Sequence, residues 1–146
     1  MRRIARSAIV ESSAEAFHAL VEDVESYPEF LPWCAAASVR SRAPGRTVAT
    51  LTLAVKGVRQ SLTTENLSAP GRSIEMRLLE GPFRRFSAEW RFTPLGESAA
   101  KVEFSLAFEF ANRILAKALG PVFERLVDST VEAFVRRAAP RDEAAH

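Results

Sequence analysis

In three segments between residues 74 and 110 the apolar side chains fall on every second position, and from residue 112 to residue 138 they fall at helical spacing instead. That single change of period constrains the fold most. Ile74, Met76 and Leu78 alternate with Glu75 and Arg77. Phe86, Ala88, Trp90 and Phe92 alternate with Arg85, Ser87, Glu89 and Arg91. Val102, Phe104, Leu106, Phe108 and Phe110 alternate with Lys101, Glu103, Ser105 and Glu109. Strands with one dry and one wet face are the habit of antiparallel sheets. Turn signals at Pro44-Gly45, Gly57, Pro70-Gly71, Gly81-Pro82 and Pro94-Leu95-Gly96 cut the middle of the chain into strand-length pieces.

The flanks complete the pattern. Residues 2–10 read as a strand. Ser12 and Glu15 have capping-box spacing and start a helix whose stripe is Phe17, Leu20, Val21 and Val24. Ser26 and Glu29 repeat the spacing, and Pro32 must end any helix that starts there, so a short second helix is expected near 26–31. After Phe110, Asn112 can cap a helix. Leu115, Leu119, Val122, Phe123, Leu126, Val127, Val131, Phe134 and Val135 give it a broad apolar stripe. Gly120-Pro121 should kink or break it. The expected order is strand, short helices, six strands, long helix. This is an α+β domain over residues 1–139, with a frayed tail at 140–146. The length, 146 residues, suits one domain with its own core.

Geometry then predicts a hollow. Seven strands at about 4.8 Å spacing span roughly 30 Å, whereas a helix is about 10–12 Å wide. The sheet must curl around the long helix, and the short helices must close one end. The enclosed space would be walled by Leu51, Leu53, Val55, Phe86, Trp90, Phe104, Phe108, Phe123 and Val127, with Phe30, Leu31 and Trp33 added from the segment before the sheet. Almost none of the inward positions is charged, so a guest would be mainly hydrocarbon. The structural alternative is that these side chains, helped by ten Phe, simply fill the space.

Chemistry is sparse. Of two histidines, His18 falls beside the stripe of the first helix and His146 in the tail. Cys34 is the single cysteine, so it makes neither an internal disulfide nor a metal site alone. No metal-ligand spacing, nucleophile elbow or phosphate loop is present. No inward candidate for acid–base work is better than Tyr27 or Glu29, and the pattern turns neither clearly inward. The expectation is a protein that is not an enzyme and requires no cofactor. If the last hairpin turns near residue 97, Arg91 opposes Glu103 and Arg85 opposes Glu109, a solvated salt-bridged face.

Two features remain. Tyr27-Pro28-Glu29-Phe30-Leu31-Pro32-Trp33-Cys34 packs aromatics and prolines into one connection, a stiff plug or a hydrophobic gate. Arg40, Arg42 and Arg46 flank the Pro44-Gly45 turn, and Arg84 and Arg85 follow Gly81-Pro82-Phe83. Such basic turns can touch RNA phosphates or anionic lipid head groups. A net charge of +2 does not by itself imply nucleic acid, and DNA is not expected. No apolar run is long enough to span a bilayer, so membrane contact would be transient. The opening Met1-Arg2-Arg3-Ile4-Ala5-Arg6 lacks the apolar stretch of a signal peptide, and a cytoplasmic location is expected.

The blocks Tyr27 to Cys34, Lys56-Gly57, Gly81-Pro82-Phe83, Trp90-Arg91-Phe92, Phe108-Glu109-Phe110 and Gly120-Pro121-Val122-Phe123 together resemble the coenzyme-Q-binding START-domain proteins, which include the bacterial RatA-type ribosome-association toxins. The resemblance spans residues 3–138. It implies a helix-grip (START/Bet v 1-like) fold with a seven-stranded curved sheet. It implies a tunnel for a polyprenyl quinone such as ubiquinone, or another lipid, in the mitochondrial branch. In the bacterial branch it implies association with the large ribosomal subunit; the lack of a transit peptide favours that branch. Similar grip folds also host aromatases and cyclases. The leading expectation is therefore a domain that holds a polyprenyl quinone or similar lipid in an apolar cavity; the alternative is a ribosome-binding toxin or translation regulator acting on the large subunit, and an aromatase or cyclase comes third.

Overall fold

The computed structural model describes residues 1–139. The chain runs β1 (Arg2–Val10), α1 (Ala14–Glu22), a 3₁₀ helix (Val24–Glu29), β2 (Cys34–Ala43), β3 (Arg46–Val55), β4 (Val58–Ala69), β5 (Ser73–Glu80), β6 (Phe83–Pro94), β7 (Ala100–Phe110) and α2 (Arg113–Ala138). The strands form one seven-stranded antiparallel sheet in the order β1-β7-β6-β5-β4-β3-β2. Strands β2 to β7 form a meander, and β1 lies beside β7. α2 crosses the dry face. Pro140 and the tail to His146, expected to fray, lie outside the described residues.

The alternation sets the faces. On β7 the positions Val102, Phe104, Leu106, Phe108 and Phe110 are all buried, while Lys101 and Ser105 are exposed. On β6, Ala88, Trp90 and Phe92 are buried. The hairpin register places Arg91 opposite Glu103 and Arg85 opposite Glu109. The ion pairs formed differ from the expected ones: Arg91 Nε lies 3.2 Å from Glu89 Oε1 on its own strand, and it is Arg84 whose Nη1 reaches across to Glu109 Oε2, at 3.5 Å. Arg side chains on an open face choose among neighbouring carboxylates at little cost.

Three local expectations change. The cap of α1 is Ser13, whose hydroxyl accepts from Ala16 N at 3.1 Å, not Ser12. Burial decides this phase: a start at Ala14 turns Ala14, Phe17 and Val21 inward together, and Phe17 meets Trp90 at 5.7 Å between ring centroids. The short helix begins at Val24 rather than residue 26 and is 3₁₀, because Val24 and Tyr27 are both buried at i, i+3 spacing. Of the kink or break expected at Gly120-Pro121 the break is absent, since α2 runs through as one helix. Proline removes one helical bond, but Leu119 and Phe123 are buried on either side of it and hold both halves to the sheet.

α2 is also tied to β1 by charge. Arg6 Nε donates to Asp128 Oδ1 at 2.5 Å and its Nη2 to Glu124 Oε2 at 2.7 Å. Gly81 is constrained by close approach: a Cβ there would lie 2.9 Å from Leu62 Cδ1 and 3.2 Å from Leu78 Cδ1. The β5–β6 turn therefore packs directly on β4.

Candidate functional site: an apolar cavity behind a pinned plug

The space between sheet and α2 holds a cavity of about 80 Å³. Its wall includes Leu31 and Trp33 from the plug, Leu51 and Leu53 from β3, Phe86 and Trp90 from β6, Phe104 from β7, and Phe123 and Val127 from α2. These nine are expected positions. Phe30, Val55 and Phe108 do not line it. Phe108 is fully enclosed by Phe83, Phe110 and Phe123, with centroid distances of 6.0, 5.5 and 4.5 Å. Phe30 packs outside the cavity, edge-on to Phe134 at 5.1 Å. Val55 is the last residue of β3 and sits at the turn.

Eight wall residues lie outside the expected set: Tyr27, Leu62, Met76, Phe83, Leu106, Leu126, Thr130 and Phe134. Met76 and Leu106 carry an alternation signal, and Phe134 and Leu126 a helical one. Leu62 carries none, because its strand is polar along much of its length. Thr130 interrupts the stripe of α2 and gives no pattern signal at all.

The wall's polar atoms are already engaged. Thr130 Oγ1 accepts from Trp33 Nε1 at 2.7 Å and donates to Leu126 O at 2.8 Å. The Tyr27 hydroxyl donates to Val21 O, and burial pushes it well above the ordinary phenol range. Neither group is free to act as an acid or base on a guest. Burial also pushes the Cys34 thiol up, and its Sγ donates to Ala36 O at 3.4 Å, so it is not an activated nucleophile. His18 is buried on α1, with Nδ1 3.6 Å from Glu22 Oε1, its ring edge-on to Phe92 and Nε2 without a partner. Among the described residues no cluster of three or more His, Cys, Asp and Glu groups is placed to hold a metal.

The plug is held at several points. Trp33 bonds to α2 through Thr130, and its carbonyl accepts from Ala54 N at 2.8 Å. Arg137 Nη2 donates to Glu29 Oε1 at 3.0 Å while its guanidinium lies 4.7 Å from the Phe30 ring centroid. Glu29 thus serves as a surface clasp. Thr130→Val should leave the Trp33 indole N–H unpaired and lower stability by about 1–2 kcal/mol. Exchange of that indole proton, followed by NMR, should speed up; an unchanged rate would mean that the bond does not hold the plug.

Size limits the guest. An engineered cavity of roughly 150 Å³ in another protein takes one benzene, so this space is about half as large. A quinone ring, or any prenyl tail, enters only if wall side chains move.

The expected basic contacts are scattered. Arg46 Nε is bound to Glu65 Oε2 at 2.6 Å, and Arg40 Nε to Thr50 Oγ1 at 3.1 Å. Arg42 is exposed opposite Thr47 on the edge hairpin. Arg84 and Arg85 lie on β6 beside Glu109, away from that hairpin. No helix is long and apolar enough to cross a membrane.

A curved antiparallel sheet closed by short helices over one long helix, with an apolar cavity between, is a helix-grip domain of the START type. The sequence pattern of the family described as "Polyketide cyclase / dehydrase and lipid transport" matches residues 10–135, and the chain belongs to that family. It is 43% identical over 138 residues to the "Ribosome association toxin RatA" of Vibrio cholerae, covering 94% of this chain and 96% of that protein. It is 28% identical over 137 residues to the "Coenzyme Q-binding protein COQ10 homolog B, mitochondrial" of Xenopus laevis, covering 90% of this chain and 56% of that one. Its backbone superposes on the Zhui aromatase/cyclase of Streptomyces sp. R1128 with a TM-score of 0.83 at 22% identity, over 94% and 93% of the two chains. That last likeness concerns the fold alone.

Proposed function

We propose that this protein is a cytoplasmic ribosome-associating protein of the RatA kind that acts on the large subunit, and that it is not an enzyme. The observation that carries this reading is the near end-to-end match to a protein bearing that name. The engaged polar atoms of the cavity wall agree with a role without acid–base chemistry. Gradient sedimentation with purified subunits tests it. The protein should travel with the large subunit at low salt and leave it as salt rises. Protein that stays at the top of the gradient at low salt would remove the reading.

A second reading is favoured by a separate observation, the wall of hydrocarbon around the cavity. In it the domain holds a hydrophobic small molecule, a polyprenyl quinone such as ubiquinone or another lipid. The cavity's size ranks it second, since a guest must displace side chains. Solvent extraction of the purified protein followed by mass spectrometry should recover an isoprenoid or lipid in near-stoichiometric amount; an empty extract, and no uptake on incubation, would discard it.

A further inference from the structure

β7 pairs with both β1 and β6 and runs into α2, so the start of β1, the start of β6, the end of β7 and the first turns of α2 meet at one end of the sheet. A groove of about 320 Å³ opens there, lined by Met1, Arg2, Arg84, Glu109, Asn112 and Arg113 over a floor of Phe108 and Phe110. Three guanidiniums from three different elements share this groove with one carboxylate. Glu109 is 3.5 Å from Arg84 and also stands opposite Arg85 in the strand register. Arg2 donates to Gly120 O at 3.3 Å and lies 5.3 Å from the Phe108 ring centroid, which fixes its position without neutralising it. Among the described residues Arg2, Arg85, Arg113 and Lys117 form no ion pair.

The helix adds a second, independent observation. The N-terminus of a helix carries partial positive charge and favours aspartate or glutamate nearby. α2 has no acidic residue in its first turn, and its first residue is Arg113. Asn112 uses its side chain to cap Leu115 N at 2.9 Å, which contributes no charge. Positive charge is therefore gathered where fold stability argues against it. An anion held between the guanidiniums would relieve that repulsion. By contrast, Arg46 of the β2–β3 hairpin is ion-paired with Glu65 at 2.6 Å.

We propose that this groove is the protein's RNA-contacting surface, with Arg2, Arg84 and Arg113 taking backbone phosphates of ribosomal RNA. The proposal rests on the ribosome-association reading above. Phe108 and Phe110 are buried beneath the groove and offer no stacking face, so the contact reads phosphate position rather than base identity.

Fluorescence anisotropy with a labelled RNA hairpin over a salt series tests it directly. Arg84→Gln and Arg113→Gln change exposed side chains and should not lower the melting temperature, and loss of the Arg113 charge at the helix N-terminus should raise it slightly. Each should lower the salt slope by about one, and the pair together should weaken binding at low salt by about tenfold or more. The triple change Arg40→Gln, Arg42→Gln, Arg46→Gln should weaken it far less. Equal binding by the groove pair and the unaltered protein, or no binding of the hairpin by the unaltered protein at low salt, overturns the groove. Gradient sedimentation separates this from the parent reading. If the unaltered protein and the groove pair both travel with the large subunit, the groove fails and ribosome association stands. If the unaltered protein does not travel, ribosome association fails and so does ribosomal RNA as the ligand. Ribosome binding without hairpin binding points to a ribosomal protein as the contact and also overturns the proposal.

Discussion

Phe108→Ala should lower the unfolding free energy by about 3–5 kcal/mol, and the melting temperature by about 10 °C or more. The side chain is completely buried, and it is the hub where sheet meets helix. Phe83 arrives from β6, Phe110 from β7 and Phe123 from α2, all within 6.0 Å between centroids. Arg2 covers the fourth side at 5.3 Å. Truncation leaves a void that strands of a hydrogen-bonded sheet cannot close, so the cavity cost adds to the lost transfer energy. Domains of this size hold about 5–15 kcal/mol in total, so the variant should sit near the edge of folding at physiological temperature. Urea titration at fixed temperature reads the difference. A loss below about 1 kcal/mol, far under the range for a well-packed ring, would mean that Phe108 already borders open space, as the sequence alone suggests. Phe108→Leu, which keeps most of the volume, should recover more than half of the loss.

That example shows what the residues disclose before a structure and what they do not. Alternation tells which side of β7 is dry, and Phe108 is on that side. It does not tell which dry positions face a void and which face another ring, because that depends on where Phe83 and Phe123 arrive from distant parts of the chain. The same limit explains Val55, which sits at the last residue of its strand, beyond the cavity. β4 hides Leu62 because its inward column continues as Thr64, Asn66 and Ser68, where hydroxyls bond locally and to α1. Ser68 Oγ donates to Glu22 Oε2 at 2.7 Å, a polar contact that no periodicity reveals. The start of α1 obeys burial of Phe17 rather than the strongest capping pattern. Register is more legible: the Pro94-Leu95-Gly96 turn and two alternating strands suffice to set Arg91 against Glu103. The basic groove is half visible. Arg84 stands out beside its turn, but Arg2 and Arg113 join it only because the topology brings the first strand and the last helix to one end.

Leu51→Phe should weaken the binding of an apolar dye such as Nile red by about tenfold, or roughly 1.4 kcal/mol, while leaving ribosome association as it was. Leu51 faces the cavity from β3, between Ala37 on β2 and Leu62 on β4. Ala37 is small, so an added ring can turn into the void instead of into a neighbour. The void is about 80 Å³, and a ring there removes most of the room a guest uses. Excluding about two methylene-sized groups of a guest forfeits about 1.6 kcal/mol, which is roughly tenfold in affinity. Stability should change by less than about 1.5 kcal/mol, since the new atoms enter existing space. The basic groove lies at the β1–α2 end, on other residues, so it should be untouched. Three readouts divide the two functions. Lost dye binding with intact sedimentation separates cavity from ribosome contact. Loss of both would make the filled state of the cavity a control on the ribosome contact. Dye affinity that does not change would mean that guests do not enter between β3 and α2, and the small-molecule reading would lose its site.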